Sequence, residues 1–112
     1  MSLRIMLTLG ALLAASASGS FAGPVTSAPD PQHGGQLAQR LCSNCHLVSV
    51  EQTKAVADVP SFKEIANRPG QTEGTILARI VIPKHPMPVI PITKSELNDL
   101  ASYIMSLRDP VE

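Results

Sequence analysis

Cys42-Ser43-Asn44-Cys45-His46 is the stretch from which the rest of the chain is read. Two thiols separated by two residues can each form a thioether with one vinyl group of a single porphyrin. The imidazole that follows then lies beneath the iron. C-x-x-C-H in this form reads as a covalent attachment site for a c-type haem. The competing readings fit less of the chain. A redox dithiol normally accompanies a βαβ pattern, and no strand-like alternation occurs here. A closed zinc site typically draws on two such pairs, whereas the chain has 2 cysteines in all and 3 histidines, His33, His46 and His85. A disulfide between Cys42 and Cys45 would close a very short loop and remove little chain entropy. It would also leave His46 without a role.

The 112 residues suffice for one small domain. Arg4, an apolar run over 5–15 and the small residues of Ser20-Phe21-Ala22 have the order of an export signal. The run is shorter than the roughly 20 residues that span a bilayer. The expectation is a cleaved signal peptide over 1–22, a flexible lead over 23–30 and the folded domain over 31–112; a retained anchor is the runner-up. Export fits the motif, since thioether attachment needs reduced thiols on apo-protein delivered across a membrane. The expected location is therefore periplasmic, without stable membrane insertion once the signal is removed.

Cleavage leaves Phe62 and Tyr103 as the only aromatics besides histidine, with no Trp. A chain this short buries a limited share of its surface, so an attached haem would supply the apolar bulk that the core lacks. Loss of Arg4 leaves 8 basic residues against 9 acidic ones, a formal charge of −1. Nucleic-acid binding, which wants a basic face, is not indicated.

Helical signals run through the remainder. Asp30-Pro31 reads as an N-cap followed by proline at the first helical position. Gly34, Leu37, Ala38, Leu41 and Cys45 share one helical face. Glycine inside a helix costs about 1 kcal/mol relative to alanine, so Gly34-Gly35 suggests a close helix contact. His33 is expected in solvent. Residues 47–59 read as a loop. Ser61 and Glu64 have capping-box spacing and predict a short helix through Ala66. Thr72 caps a third helix with Ile76, Leu77, Ile80 and Val81 as its apolar face, stopped by Pro83. Thr93 and Glu96 form a second capping box, opening a helix with the stripe Leu97, Leu100, Ala101, Ile104 and Leu107. Between these helices, Pro86, Pro88 and Pro91 stiffen an extended loop that carries Met87.

With these elements in order, the chain resembles a small bacterial class I cytochrome c. The resemblance covers essentially the whole expected mature chain. It rests on the helix ending in Cys42-x-x-Cys45-His46, on Pro60-Ser61-Phe62, on Met87 in its proline-bounded loop, and on the terminal helix with Leu100-Ala101-Ser102-Tyr103-Ile104. It implies an all-α fold of about four helices with long loops around one covalently bound haem c. In that family's terms Cys42 and Cys45 carry the two thioethers, His46 is the proximal iron ligand and Met87 the distal one. The Pro60 carbonyl is the partner of the proximal imidazole, and Gly34 is where the first helix crosses the last near Tyr103. The chain departs from the family in having Ala38 where an aromatic is common. It also lacks the usual Trp or Tyr partners of the haem propionates, for which Lys54, Lys63 and Arg68 are possible substitutes.

The sixth ligand has one rival, His85, two residues from Met87, whereas Met105 is assigned to the core. Met/His ligation raises the reduction potential and leaves no open coordination position. No nucleophile–base pair or carboxylate cluster stands out. The expected role is a monomeric one-electron carrier between redox proteins, not an enzyme. A dedicated haem subunit or partner of a periplasmic dehydrogenase is one alternative. A haem-based ligand sensor or peroxidase-like protein with a displaceable sixth ligand is another. Arg79, Lys84 and Lys94 flank the methionine loop and read as ordinary solvated cations, with a small positive docking rim beside the haem edge as the alternative.

Overall fold

Asp30 begins the first helix in the way its side chain dictates. Its carboxylate accepts the backbone N–H groups of Gln32 and His33, and Pro31 fills the first helical position. A computed structural model of the chain describes residues 19, 27–84 and 87–112. The expected signal peptide, the lead as far as residue 26, and the rival ligand His85 with Pro86 lie outside these residues. Residues 27–30 are exposed and have no regular secondary structure.

Four helices follow in order: α1 (Pro31–Leu41), α2 (Phe62–Ala66), α3 (Glu73–Val81) and α4 (Lys94–Ser106). No strand occurs among the described residues, so the fold is all-α as expected. Each start is set by a side chain. Ser61 and Thr93 form complete capping boxes with Glu64 and Glu96, and Thr72 accepts the Thr75 N–H at the head of α3. Both box glutamates accept N-cap backbone N–H groups, which holds their carboxyls below the usual range. After α2 the chain turns at Gly70, whose φ of 67° is open to glycine without strain.

The frame is the crossing of α1 on α4, against which α2 and α3 also pack. Leu37 and Ala38 of α1 and Leu100, Ala101 and Ile104 of α4 are buried, joined by Val48, Phe62, Ala66 and Ile76. Gly34 is buried at the crossing, where an added Cβ would stand 2.8 Å from the Cβ of Tyr103. The small residue and its partner are those expected from the resemblance.

Several details depart from the sequence reading. α1 ends at Leu41 rather than continuing to Cys45, and it is Cys42, not Cys45, that is buried. α4 ends at Ser106, so Leu107, read as the last residue of its stripe, is the C-cap. Val81, assigned to the apolar face of α3, is 60% exposed because it lies in the helix's last turn. His33 is not a free surface side chain. Its Nδ1 donates to Asp99 Oδ2 at 2.8 Å, while Asp99 Oδ1 accepts the Asp30 N–H at 2.7 Å. Asp99 is itself 8% exposed. Met105, as expected, packs against the core.

Candidate haem-binding site

The end of α1 runs directly into the cysteine pair. Cys42 N–H donates to the Ala38 carbonyl at 2.9 Å, and the N–H groups of Cys45 and His46 both donate to the Cys42 carbonyl, at 3.1 and 2.9 Å. The chain thus makes one further helical turn past Leu41. That turn brings Cys42, Cys45 and His46 together at the end of α1. Neither cysteine is in a disulfide. Burial, and secondarily the neighbouring Cys45, pushes the Cys42 thiol up to about 11.

Beyond the turn, the long loop brings Pro60 back to His46. His46 Nδ1 lies 2.6 Å from the Pro60 carbonyl oxygen. A carbonyl can only accept, so Nδ1 carries a proton, and in the neutral ring Nε2 keeps its lone pair. This is the tautomer a metal-binding imidazole needs, with its orientation fixed by the second nitrogen. Pro60 immediately precedes Ser61, the N-cap of α2. The His46 ring packs on Phe62, centroids 5.3 Å apart and tilted by 48°, and Phe62 meets the edge of Tyr103 at 6.5 Å. Tyr103 reaches past it to donate its hydroxyl to the Val48 carbonyl at 2.5 Å. Each ring in this row is anchored by its neighbour.

Cys42, Cys45, His46, Pro60 and Met87 all line one cleft of about 1030 Å³. That is the upper end of the range for small-molecule and cofactor sites, roughly 300–1,000 Å³. Its walls include Phe62, Ile65, Ile76, Ile80, Leu100 and Ile104. The helix stripes read as core from the sequence therefore also face this space. The donor set and the walls fit a covalently attached haem: two thiols for its vinyl groups, an imidazole with a free Nε2, a thioether and an apolar enclosure.

The polar part of the lining sorts the cationic candidates. Arg68 reaches the cleft, as do Arg79 and Lys84. Lys63 instead pairs with Asp109 at 3.0 Å. Lys54 and Lys94 are not among the lining residues. Two polar residues escaped the sequence reading. Gln71 is buried on the cleft wall, with its amide donating to the Ile65 carbonyl at 2.8 Å. Gln52 gathers the backbone around the cysteine turn. Neither lies on a periodic stripe, and in a polar loop a glutamine gives no signal of being buried.

No protein-family model matches the chain, and no solved structure matches it. Among characterised proteins, cytochrome c-552 of Bradyrhizobium diazoefficiens is similar to it. The two are 42% identical over 81 residues, which make up 72% of this chain and 78% of that protein. Identity at this level over most of both chains, joined to a four-helix fold and a haem-attachment motif at the mouth of an apolar cleft, carries one conclusion: the chain belongs to the small class I c-type cytochromes and is an electron-transfer protein rather than an enzyme.

Proposed function

We propose that this cytochrome is a monomeric, mono-haem carrier that moves one electron at a time between redox proteins in the periplasm. In this reading Cys42 and Cys45 hold one haem c through two thioethers, His46 binds the iron through Nε2, and Met87 is the sixth ligand. Pro60 fixes the His46 ring. The haem supplies the one-electron chemistry, and the protein sets access, potential and docking. The observation that carries the proposal is the 2.6 Å contact from His46 Nδ1 to the Pro60 carbonyl. It leaves Nε2 as the free donor of a ring lining the cleft that Met87 also lines.

With His46 and Met87 both bound to it, a haem iron would have no vacant position for a substrate and would change oxidation state with little rearrangement. No described helix is long and apolar enough to cross a membrane. Export is proposed to proceed through a signal peptide over 1–22, cleaved after Ala22, with 23–30 as a lead to the domain over 31–112.

The test is the absorption spectrum of the chain produced with a periplasmic haem-maturation system, oxidised and reduced, with and without carbon monoxide. The expected result is covalent haem, the weak red band of an iron–methionine bond, and no carbon monoxide shift. Met87→Ala is expected to lose the band and bind carbon monoxide. Prompt carbon monoxide binding by the unaltered protein would remove the carrier reading in favour of a ligand sensor or peroxidase-like protein. Bis-histidine bands would move the sixth position to His85.

A further inference from the structure

Backbone carbonyls outside regular secondary structure also need hydrogen-bond donors. Past α1, several of them have backbone or side-chain donors from other segments. Cys45 O accepts the Val56 N–H at 3.2 Å, Leu47 O the Phe62 N–H at 2.9 Å, and Val48 O the Tyr103 hydroxyl. The carbonyls of Ser43 and His46 go to one side chain. Gln52 Nε2 stands 2.8 Å from each of them and 2.8 Å from the Lys54 carbonyl, while Gln52 Oε1 accepts the Val48 N–H at 3.0 Å. The two amide hydrogens are shared among three carbonyls, two of them on the haem-binding turn and one on the loop that follows.

We infer that Gln52 is a positioning residue for the proximal imidazole: its amide clamps the backbone of the cysteine turn and so sets the plane of the His46 ring. The inference rests on His46 being the iron ligand. His46 is held at two places, one on its ring and one on its backbone. Pro60 O holds Nδ1, and Gln52 holds the peptide carbonyl of His46 itself. With Nδ1 tied to Pro60, the angle of the ring follows the place of the His46 backbone, and releasing Gln52 lets that backbone shift. The chemistry is specific to a primary amide of this length. Glutamate keeps the acceptor for Val48 N–H but sets a carboxylate against three carbonyl oxygens. Asparagine is one methylene shorter and cannot span from Val48 to Ser43 and Lys54 together.

The test uses the ferric holoprotein and proton NMR, because the haem-methyl resonances report the orientation of the axial ligands, the imidazole plane among them, and the resonances of the Met87 side chain report its own orientation separately. In the unaltered protein, strongly shifted His46 ring protons are expected; their absence would remove the ligand assignment, and this inference with it, before any variant is made. With that established, Gln52→Ala and Gln52→Glu are expected to change the spread and order of the haem-methyl resonances. Thr93→Ala, which loosens a distant helix start, is expected to lower stability and leave the pattern intact. An unchanged pattern in both Gln52 variants would reduce Gln52 to a loop staple and overturn the inference. A second reading needs no variant to fold: the Gln52 side-chain amide hydrogens of the unaltered protein are expected to exchange far more slowly than those of a free primary amide. Exchange at the free rate would overturn it as well.

Discussion

Gly34 on α1 rests against the backbone carbonyl of Asp99 on α4, so closely that a Cβ at Gly34 would lie 2.5 Å from the carbonyl carbon. The same atom would lie 2.8 Å from Tyr103 Cβ. Backbone cannot rotate away, so the crossing of α1 on α4 depends on there being no side chain at position 34. Gly34→Ala is expected to destabilise the holoprotein by about 3 kcal/mol, the upper part of the usual overpacking range. Gly35→Ala is the comparison. Its nearest contact would be the Tyr103 ring edge at 3.1 Å, and alanine regains about 1 kcal/mol of helix propensity. Denaturant unfolding of both should show a much larger loss for position 34; equal losses would refute the crossing as described.

Asp99 also carries the pH dependence of this crossing. Its carboxylate accepts the Asp30 N–H and the His33 Nδ1–H, and these bonds hold its carboxyl below the usual range. Because the folded pKa is the lower one, the stabilisation is present above the ordinary carboxylate range, near pH 4. It is lost as pH falls through the folded value. Asp99→Asn is therefore expected to cost on the order of 1–2 kcal/mol at neutral pH. Unfolding curves between pH 7 and pH 2 should converge with those of the parent at the acid end. A gap that persists unchanged at low pH would show that the charge is not what matters.

The helix starts were legible because caps are local. Asp30, Ser61, Thr72 and Thr93 each bond to backbone within three residues, so residue type and spacing suffice. The haem motif was legible for the same reason. What escaped depends on partners far along the chain. Asp99 is buried because His33 and Asp30, 66 and 69 residues away, meet it across the crossing. A charged residue on a polar helix face gives no hint of that. Val48 is fully buried in a segment with no period, under Tyr103. Val81 errs the other way, since periodicity marks which residues share a face and not how far along it a neighbour extends.

Phe62 links site and core. It is 4% exposed and packs on the His46 ring on one side and Tyr103 on the other. Phe62→Ala is expected to cost about 3–5 kcal/mol, the range for losing a buried aromatic, and to free the His46 ring on that face. Phe62→Leu should recover most of the stability. Urea unfolding of the two holoproteins checks this; a loss below 1 kcal/mol in Phe62→Ala would mean the row of rings is not packed as described.

Arg68 and Arg79 line the cleft, whereas Lys63 is engaged with Asp109. The difference bears on the reduction potential. Ferric iron carries one more positive charge than ferrous, so a cation facing the haem disfavours the oxidised form and raises the potential. Neutralising either arginine should then lower it. Both side chains are exposed, so solvent screening keeps the interaction to about 1 kcal/mol or less at an effective dielectric near that of a protein surface. For a one-electron couple that is a fall of roughly 20–40 mV. Potentiometric titration of Arg68→Gln and Arg79→Gln at low ionic strength measures it, with Lys63→Gln as the comparison. The arginine effects should shrink as salt is added, and Lys63→Gln should move the potential far less. A shift in Lys63→Gln as large as in the arginine variants would mean that net charge, and not position on the cleft, tunes the iron.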